Sequence, residues 1–561
     1  MTNPLASTPI TGSRLALLPG TTPVPGNGAN SEPPTTIADQ EKAARRALLA
    51  VDAALRRGGE GYHAWLDHIW SAAACTRPVR LSGLLHCLDA TTGEVRDTIS
   101  TATLPDGTIY KACGNRRHSV CPTCATTYQR DAYQLVRAGL VGGKTVPDSV
   151  AQHPAVFATF TAPSFGLVHT RHVRNHRARC EAKPGECSCP AEPCHARRNG
   201  DGSGTAQTCQ HGVKLACFTR HRHGDEQLGQ PLCADCYDHD HHVVWNRYSG
   251  ELWRRTKQAI ERRLNQLART RGLAPAGGRT IRVSHGKAAE YQARGAVHFH
   301  VLLRLDGIDP ADPDAVIPPP AGLTIDDLYD AVHAATSGIT FTTPPHPARP
   351  DGWPMNWGRQ LDVRPITLTG HNALNDSAVA GYLAKYATKS TEPTGHTSPR
   401  LDHHNIALYA DPHGTHPQRL IAACWNLGDS THHPEVNEDN RDEGPYEGLR
   451  RWAHMLGFGG HFLTKARRYS VTFARLRGAR IRYARTQATG PTYTCDLADP
   501  HQHDEETTLI IGDLTYAGRG WLNQGDALLA NTAAAQARDR QQAGREELTR
   551  QPADNPHLQA A

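Results

Sequence analysis

Thirteen of the fifteen cysteines in this 561-residue chain fall between Cys75 and Cys236. No other feature restricts the fold as much, because residues 167–242 are rich in Cys, His and Gly and poor in aliphatic side chains. A segment that buries so little apolar surface needs another source of stability. Clustered cysteines supply it as disulfides in an oxidising compartment or as metal ligands in a reducing one. The N-terminus has no basic flank joined to an apolar stretch and a small-residue cleavage site. No run of 18 apolar residues occurs either. A cytoplasmic protein with no membrane partner is therefore expected, and the thiols read as ligands for structural Zn²⁺. Cys113, Cys121 and Cys124 offer three ligands, with Cys87, His118 or a later residue as the fourth. Cys209, Cys217, Cys233 and Cys236 offer a four-sulfur set with the same spacing of seven and then two residues. Both suit closed tetrahedral sites. A third group, Cys180, Cys187, Cys189 and Cys194 with His195, is less orderly.

The remaining chain alternates helical and strand patterns. Net charge is only +6 and the pI about 8.6, but the positive charge is unevenly spread. Residues 1–36 read as a disordered tail rich in Pro, Thr, Gly and Asn, and 37–75 as a helical segment. The stretch 155–164, "AVFATFTAPS", reads as a strand ended by Pro163. Residues 248–272 form an amphipathic helix stopped by Gly272, and two strands follow, turning near Ala293–Gly295. A helix is expected at about 324–336, a strand over "QLDVRPITL", and a helix over "SAVAGYLAKYATKS" with Ser377 as its cap. Residues 391–445 look like a linker.

Within "AVHFHVLLRL" (296–305), His298 and His300 share one strand face. Two imidazoles side by side in an apolar strand are costly unless something binds them. A divalent metal is the reading with chemistry; paired core histidines are the plain alternative. Glu290 falls on the partner strand and could be a third ligand, with His285 a competitor. Mixed nitrogen and carboxylate ligation suits Mg²⁺ or Mn²⁺ bridged to phosphate.

Downstream, Tyr382 and Tyr386 lie four residues apart on one helix face, with Lys385 and Lys389 a second such pair on its flank. A helix burying two tyrosines is the ordinary reading of that pattern alone. Beside a metal-holding histidine pair, the same tyrosines are the equipment for cutting DNA through a phosphotyrosine bond. A phenol is a weak nucleophile at neutral pH; a metal polarises the phosphate, and nearby lysines are expected to favour phenolate. Two tyrosines permit two successive transfers. Between Leu463 and Arg485, Lys465, Arg467, Arg468, Arg475, Arg477 and Arg480 occur with interleaved aromatics and no acid. That composition suits phosphate contacts and base stacking.

"FATFT", "HFHVLL" and "YLAKYATK", in this order, resemble the three motifs of HUH endonucleases that start rolling-circle replication, in the two-tyrosine class. The wider set "CGNRRHSVCPTCA", "CADCYDHDHHVVWN", "ELWRR", "EYQARGAVHFHVLLRLD" and "WAHMLGFGGHFLTKARRYSVTFARLR" resembles the RepSA-like replication initiators of actinobacterial plasmids and covers most of residues 76–485. The resemblance implies an α+β fold: a four- or five-stranded antiparallel sheet of HUH type, the histidines on a central strand and the tyrosine helix packed across it. A Cys-rich zinc-stabilised insertion and a mainly helical C-terminal segment complete it. It makes His298 and His300 ligands of a catalytic Mg²⁺ or Mn²⁺, Glu290 a third, Tyr386 the primary nucleophile and Tyr382 the second. Implied domains are a zinc-binding part at 76–150, a nuclease core at 151–390 with its insertion at 167–242, a linker at 391–445, a basic DNA-binding segment at 446–490 and a tail at 491–561. Plasmid origin DNA, single-stranded or in a supercoiled cruciform, would be the substrate. Without a Gly-x-x-x-x-Gly-Lys-Ser/Thr loop, a host helicase and DNA polymerase would be partners. A conjugative relaxase, a tyrosine transposase or a non-catalytic zinc-dependent DNA-binding regulator are the alternatives.

Overall fold

The computed structural model describes residues 59–89, 91–173, 189–196, 207–275, 278–366, 376–396, 399–429, 444–487 and 508–550, with part of 41–55. The expected N-terminal tail, Cys180, Cys187 and the side chain of Ser377 lie outside the described residues. In chain order the strands are β1 (Val79–Asp89), β2 (Val95–Ser100), β3 (Ile109–Lys111), β4 (Ala155–Phe160), β5 (Ile281–Tyr291), β6 (Val297–Gly307), β7 (Thr340–Thr342), β8 (Pro354–Asn356), β9 (Leu361–Pro365), β10 (Leu463–Lys465) and β11 (Thr508–Arg519). The helices are α1 (Gly59–Ile69), α2 (Pro122–Val141), α3 (His239–Thr270), α4 (Ile325–Gly338), α5 (Asp376–Tyr386), α6 (His416–Leu427), α7 (Glu447–Arg451), α8 (Phe473–Gln487) and α9 (Gln524–Arg550). Two compact units form, one from residues 1–128 with 477–561 and one from 129–476.

In the first unit, β1 is flanked by β11 and β2, with β3 also pairing β1, all antiparallel. The stretch expected as a tail from 491 therefore contains a strand of the sheet. Its pairing partner lies more than 400 residues away, beyond the reach of any local pattern. Trp65, Ile69, Tyr110 and Leu529 form the core, and Tyr110 stacks on Trp521 at 5.1 Å.

The second unit is built on the five-stranded antiparallel sheet β10-β5-β6-β4-β9. β6 is its middle strand and is covered on both sides: one face is wholly apolar, and the other carries His298, His300, Arg304 and Asp306 around Leu302. Val297, Phe299, Val301, Leu303 and Leu305 enter a core shared with Leu252, Trp253, Ile260 and Leu264 of α3. Each such side chain, fully buried, contributes about 1.5–3 kcal/mol. Leu302 faces the other way, into a second core with Leu383, Val379 and Tyr386 of α5. The histidines at 298 and 300 belong to this second face by the two-residue period. α3 is longer than its amphipathic stretch suggested: it begins at His239, where the Asp238 side chain accepts from the His241 amide. α4 starts with a capping box of Thr324 and Asp327. The hairpin turn between β5 and β6 falls where expected, with Gly295 at φ +87°, a conformation that glycine adopts without strain. The presumed linker at 391–445 holds α6, whose Leu420, Ile421 and Cys424 are buried in the main core.

Candidate active site

Strand register brings the site together. Glu290 pairs with His298 across the β5–β6 hairpin, and Thr159 of β4 pairs with His300. Glu290 Oε2 accepts from His298 Nε2 at 2.9 Å and from His300 Nε2 at 3.2 Å. His300 Nδ1 hydrogen-bonds Thr159 Oγ1 at 3.1 Å, which holds the ring so that Nε2 faces the carboxylate. His285 takes no part. It stands on the opposite face of β5 against Trp253, with ring centroids 5.2 Å apart, and burial together with Lys257, Lys287 and Lys465 pushes its pKa down to about 3.

α5 places both tyrosines over this cluster. The Tyr386 ring stacks on His300 at 4.9 Å, and Tyr382 meets the same imidazole edge-on at 5.0 Å. The two phenol rings are 4.5 Å apart, and Phe157 of β4 supports Tyr382 at 5.7 Å. The lysines separate. α5 ends at Tyr386, so Lys389 leaves the helical course and its Nζ reaches Glu290 Oε1 at 2.8 Å while lying 4.4 Å from the Tyr386 ring centre. Lys385 stays on the helix and is exposed.

Burial raises the Glu290 carboxyl, but the hydrogen bonds from His298 and His300 and the Lys389 ammonium outweigh it and bring its pKa down to about 2. Burial lowers His300, with the Glu290 hydrogen bond opposing. Burial also raises both Tyr382 and Tyr386 above the ordinary phenol value. This corrects the expectation that neighbouring lysines favour phenolate. The site excludes water from the phenols more than it surrounds them with positive charge.

Glu290, His298 and His300 place three ligand atoms within 4.8 Å of one another. An anionic carboxylate and two imidazoles in that arrangement fit one divalent cation.

Three further clusters gather four ligand atoms each within the same distance. Cys113, Cys121 and Cys124 are completed by Cys75. Sulfurs 3.7 and 3.9 Å apart match the edge of roughly 3.8 Å that a tetrahedron with zinc–sulfur bonds of about 2.3 Å requires. The expected candidates for the fourth position fail: Cys87 is disulfide-bonded, and His118 is not in the cluster. Cys75 was legible only through pairing: Val79 of β1 faces Lys111 of β3, which draws Cys75 to Cys113. The second set also regroups. Cys209, Cys233 and Cys236 join His211, while Cys217 joins His169, Cys194 and His221. His221 Nδ1 is held by Asp225 Oδ2 at 2.7 Å, a support common behind metal-binding imidazoles.

Of the basic residues, Lys465 turns back on the carbonyls of Ala466 and Arg467. Arg467 and Arg468 pair with Asp314 at 3.2 and 2.6 Å. They border a cleft of about 440 Å³ with Arg254, Lys257, Arg279 and Arg282. Arg475, Arg477 and Arg480 are exposed on α8. Tyr469 is fully buried, its hydroxyl on the Val136 carbonyl at 2.8 Å, so it does not stack on bases.

A mixed α+β protein with antiparallel sheets, a carboxylate–histidine cluster under two tyrosines and Cys/His clusters is the class this geometry defines. The family model "Replication initiator protein, pSAM2" (RepSA) matches residues 61–535, and the chain belongs to that family. It is 37% identical over 516 residues to a "Replication initiator protein" of Streptomyces ambofaciens, covering 89% of this chain and 93% of that protein. No solved structure matches. Among the described residues no helix is long and apolar enough to cross a membrane.

Proposed function

We propose that this replication initiator is an HUH-type nicking enzyme that opens one strand of a plasmid origin for rolling-circle synthesis. The observation that carries the reading is that both tyrosine rings lie within 5.0 Å of the His300 imidazole, which itself bonds Glu290. Glu290, His298 and His300 would hold Mg²⁺ or Mn²⁺, and that ion would supply polarisation of the scissile phosphate. The Tyr386 oxygen attacks phosphorus and gives up its proton. The bond to the 3′-oxygen breaks, and that oxygen takes up a proton to become the 3′-hydroxyl that primes synthesis. The 5′-phosphate stays on Tyr386. Tyr382, on the same helix face, cuts the regenerated junction after a round of synthesis, and the 3′-hydroxyl this frees attacks the Tyr386 phosphotyrosine, so that the strand is rejoined and the Tyr386 hydroxyl regained. Lys389 is the cation nearest the developing charge, and Thr159 is a positioning residue acting through His300. The Cys/His clusters would hold structural Zn²⁺. The basic cleft bordered by Arg467 and Arg468, with α8, supplies phosphate contacts to origin DNA, while a host helicase and polymerase unwind and extend. Incubating the protein with labelled single-stranded origin DNA and Mg²⁺ or Mn²⁺ tests this. A protease-sensitive covalent adduct is expected, and its absence with both ions overturns the proposal.

A further inference from the structure

At the Glu290 end of the central sheet lies a groove of about 920 Å³, within the size range of pockets that enclose ligands. It starts beside the candidate active site. Thr161 lines it, two residues beyond the Thr159 that holds His300, and Gln292 lines it, two residues beyond Glu290. Along an extended strand that step is about 7 Å.

The groove has built walls. One is a ribbon in which His169 N–H donates to the Gln230 carbonyl and Gly229 N–H to the His169 carbonyl, both at 2.9 Å. The ribbon is seated on the β5–β6 turn so closely that a Cβ on Gly229 would lie 2.4 Å from backbone atoms of Ala293 and Arg294. Arg294 fixes the turn from beneath by donating to the carbonyls of Pro163 and Ala162 at 2.9 and 3.1 Å. Residues 356–360, including exposed Arg359, also line the groove. Three arginines and two histidines line the groove, and none of the described residues lining it is acidic. Such a lining suits a phosphodiester strand and repels no part of it.

His169 belongs both to the ribbon and to the cluster with Cys194, Cys217 and His221. We propose that this groove holds the single-stranded DNA on one side of the scissile phosphate, and that metal in the His169 cluster fixes the wall that shapes it. The Cys-rich insertion thus acts in substrate positioning as well as in folding. This rests on the nicking reading, since the groove gains its meaning from the site it adjoins.

The test uses the full chain carrying Tyr382→Phe and Tyr386→Phe, so that binding is read without cleavage. Labelled single-stranded oligonucleotides tiled across the replicon's origin are shortened in nested sets from either end, and affinity is followed by fluorescence anisotropy. Arg359→Glu is expected to weaken the long oligonucleotides roughly tenfold and to leave unchanged those shortened at one particular end. Cys217→Ser is expected to show the same end-dependence and to lose one bound zinc. Should Cys217→Ser fail to fold, Arg359→Glu decides alone. Equal affinity of Arg359→Glu and parent for every oligonucleotide overturns the proposal, as does an equal loss for all of them. Adduct formation by the protein with its tyrosines intact is scored separately. An adduct without end-dependence removes the groove and keeps the nicking site; end-dependence without an adduct does the reverse.

Discussion

Lys389 Nζ lies 2.8 Å from Glu290 Oε1, and its ammonium sits 4.4 Å from the centre of the Tyr386 ring. One cation therefore joins the carboxylate of the candidate metal cluster to the candidate nucleophile, although three residues past Tyr386 it has left the helix. Lys389→Met is expected to slow adduct formation by about two orders of magnitude, the scale of losing one preorganised charge. Lys385→Met, at an exposed position, should stay within about twofold of the parent. Single-turnover rates of adduct formation check both, and equal effects of the two variants would refute the assignment.

The regrouping of Cys217 has a stoichiometric consequence. Cys217→Ser combined with His221→Asn should remove one zinc per chain, because both residues belong to one cluster. Cys217→Ser combined with His211→Asn should remove two. Metal analysis of the purified variants distinguishes this arrangement from a four-sulfur site of Cys209, Cys217, Cys233 and Cys236, from which the second pair would remove only one ion.

Lys287 lies on the opposite face of β5 from Glu290, over the Phe299 ring at 3.7 Å. Burial lowers its pKa to about 7, against about 10.4 in an unfolded chain. Below pH 7 both states carry the charge and the folded protein bears the full burial cost. Between the two values the unfolded chain binds more protons, so stability rises with pH. Lys287→Met should raise the Tm at pH 7 by a few degrees, on the order expected for a relieved buried charge, and the gap to the parent should narrow towards pH 10. Thermal scans at fixed ionic strength check it; a gap constant with pH would contradict the burial of a titrating amine.

Arg279 and Arg467 both line the basic cleft. If both contact phosphates, replacing both with Ala lowers the slope of log affinity against log salt by about two. Duplex binding measured from low to moderate salt tests this, and an unchanged slope removes the cleft from the DNA interface.

The strand period was enough to place His298 and His300 on one face, and helix spacing was enough to place Tyr382 with Tyr386, because both patterns are local. What brought Glu290 rather than His285 to the histidines was hairpin register, fixed by the turn at Gln292–Gly295. Thr159 became visible only when β4 paired with β6. Cys75 and β11 depend on contacts far apart in sequence, and His169, His211 and His221 lacked the paired-cysteine spacing that drew attention to sulfur. Lys389 was placed on a helix flank because nothing in "YATKS" marks the helix end at Tyr386.

The central claim is that DNA is cut through tyrosine on a histidine-held metal, and one measurement addresses it most directly. The protein is incubated with labelled single-stranded origin DNA and Mn²⁺, then resolved under denaturing conditions beside its Tyr382→Phe/Tyr386→Phe and His298→Ala/His300→Ala variants. A covalent protein–DNA species is predicted for the parent alone, with zinc content unchanged in both variants. Undiminished cleavage in the double-phenylalanine variant would contradict the account.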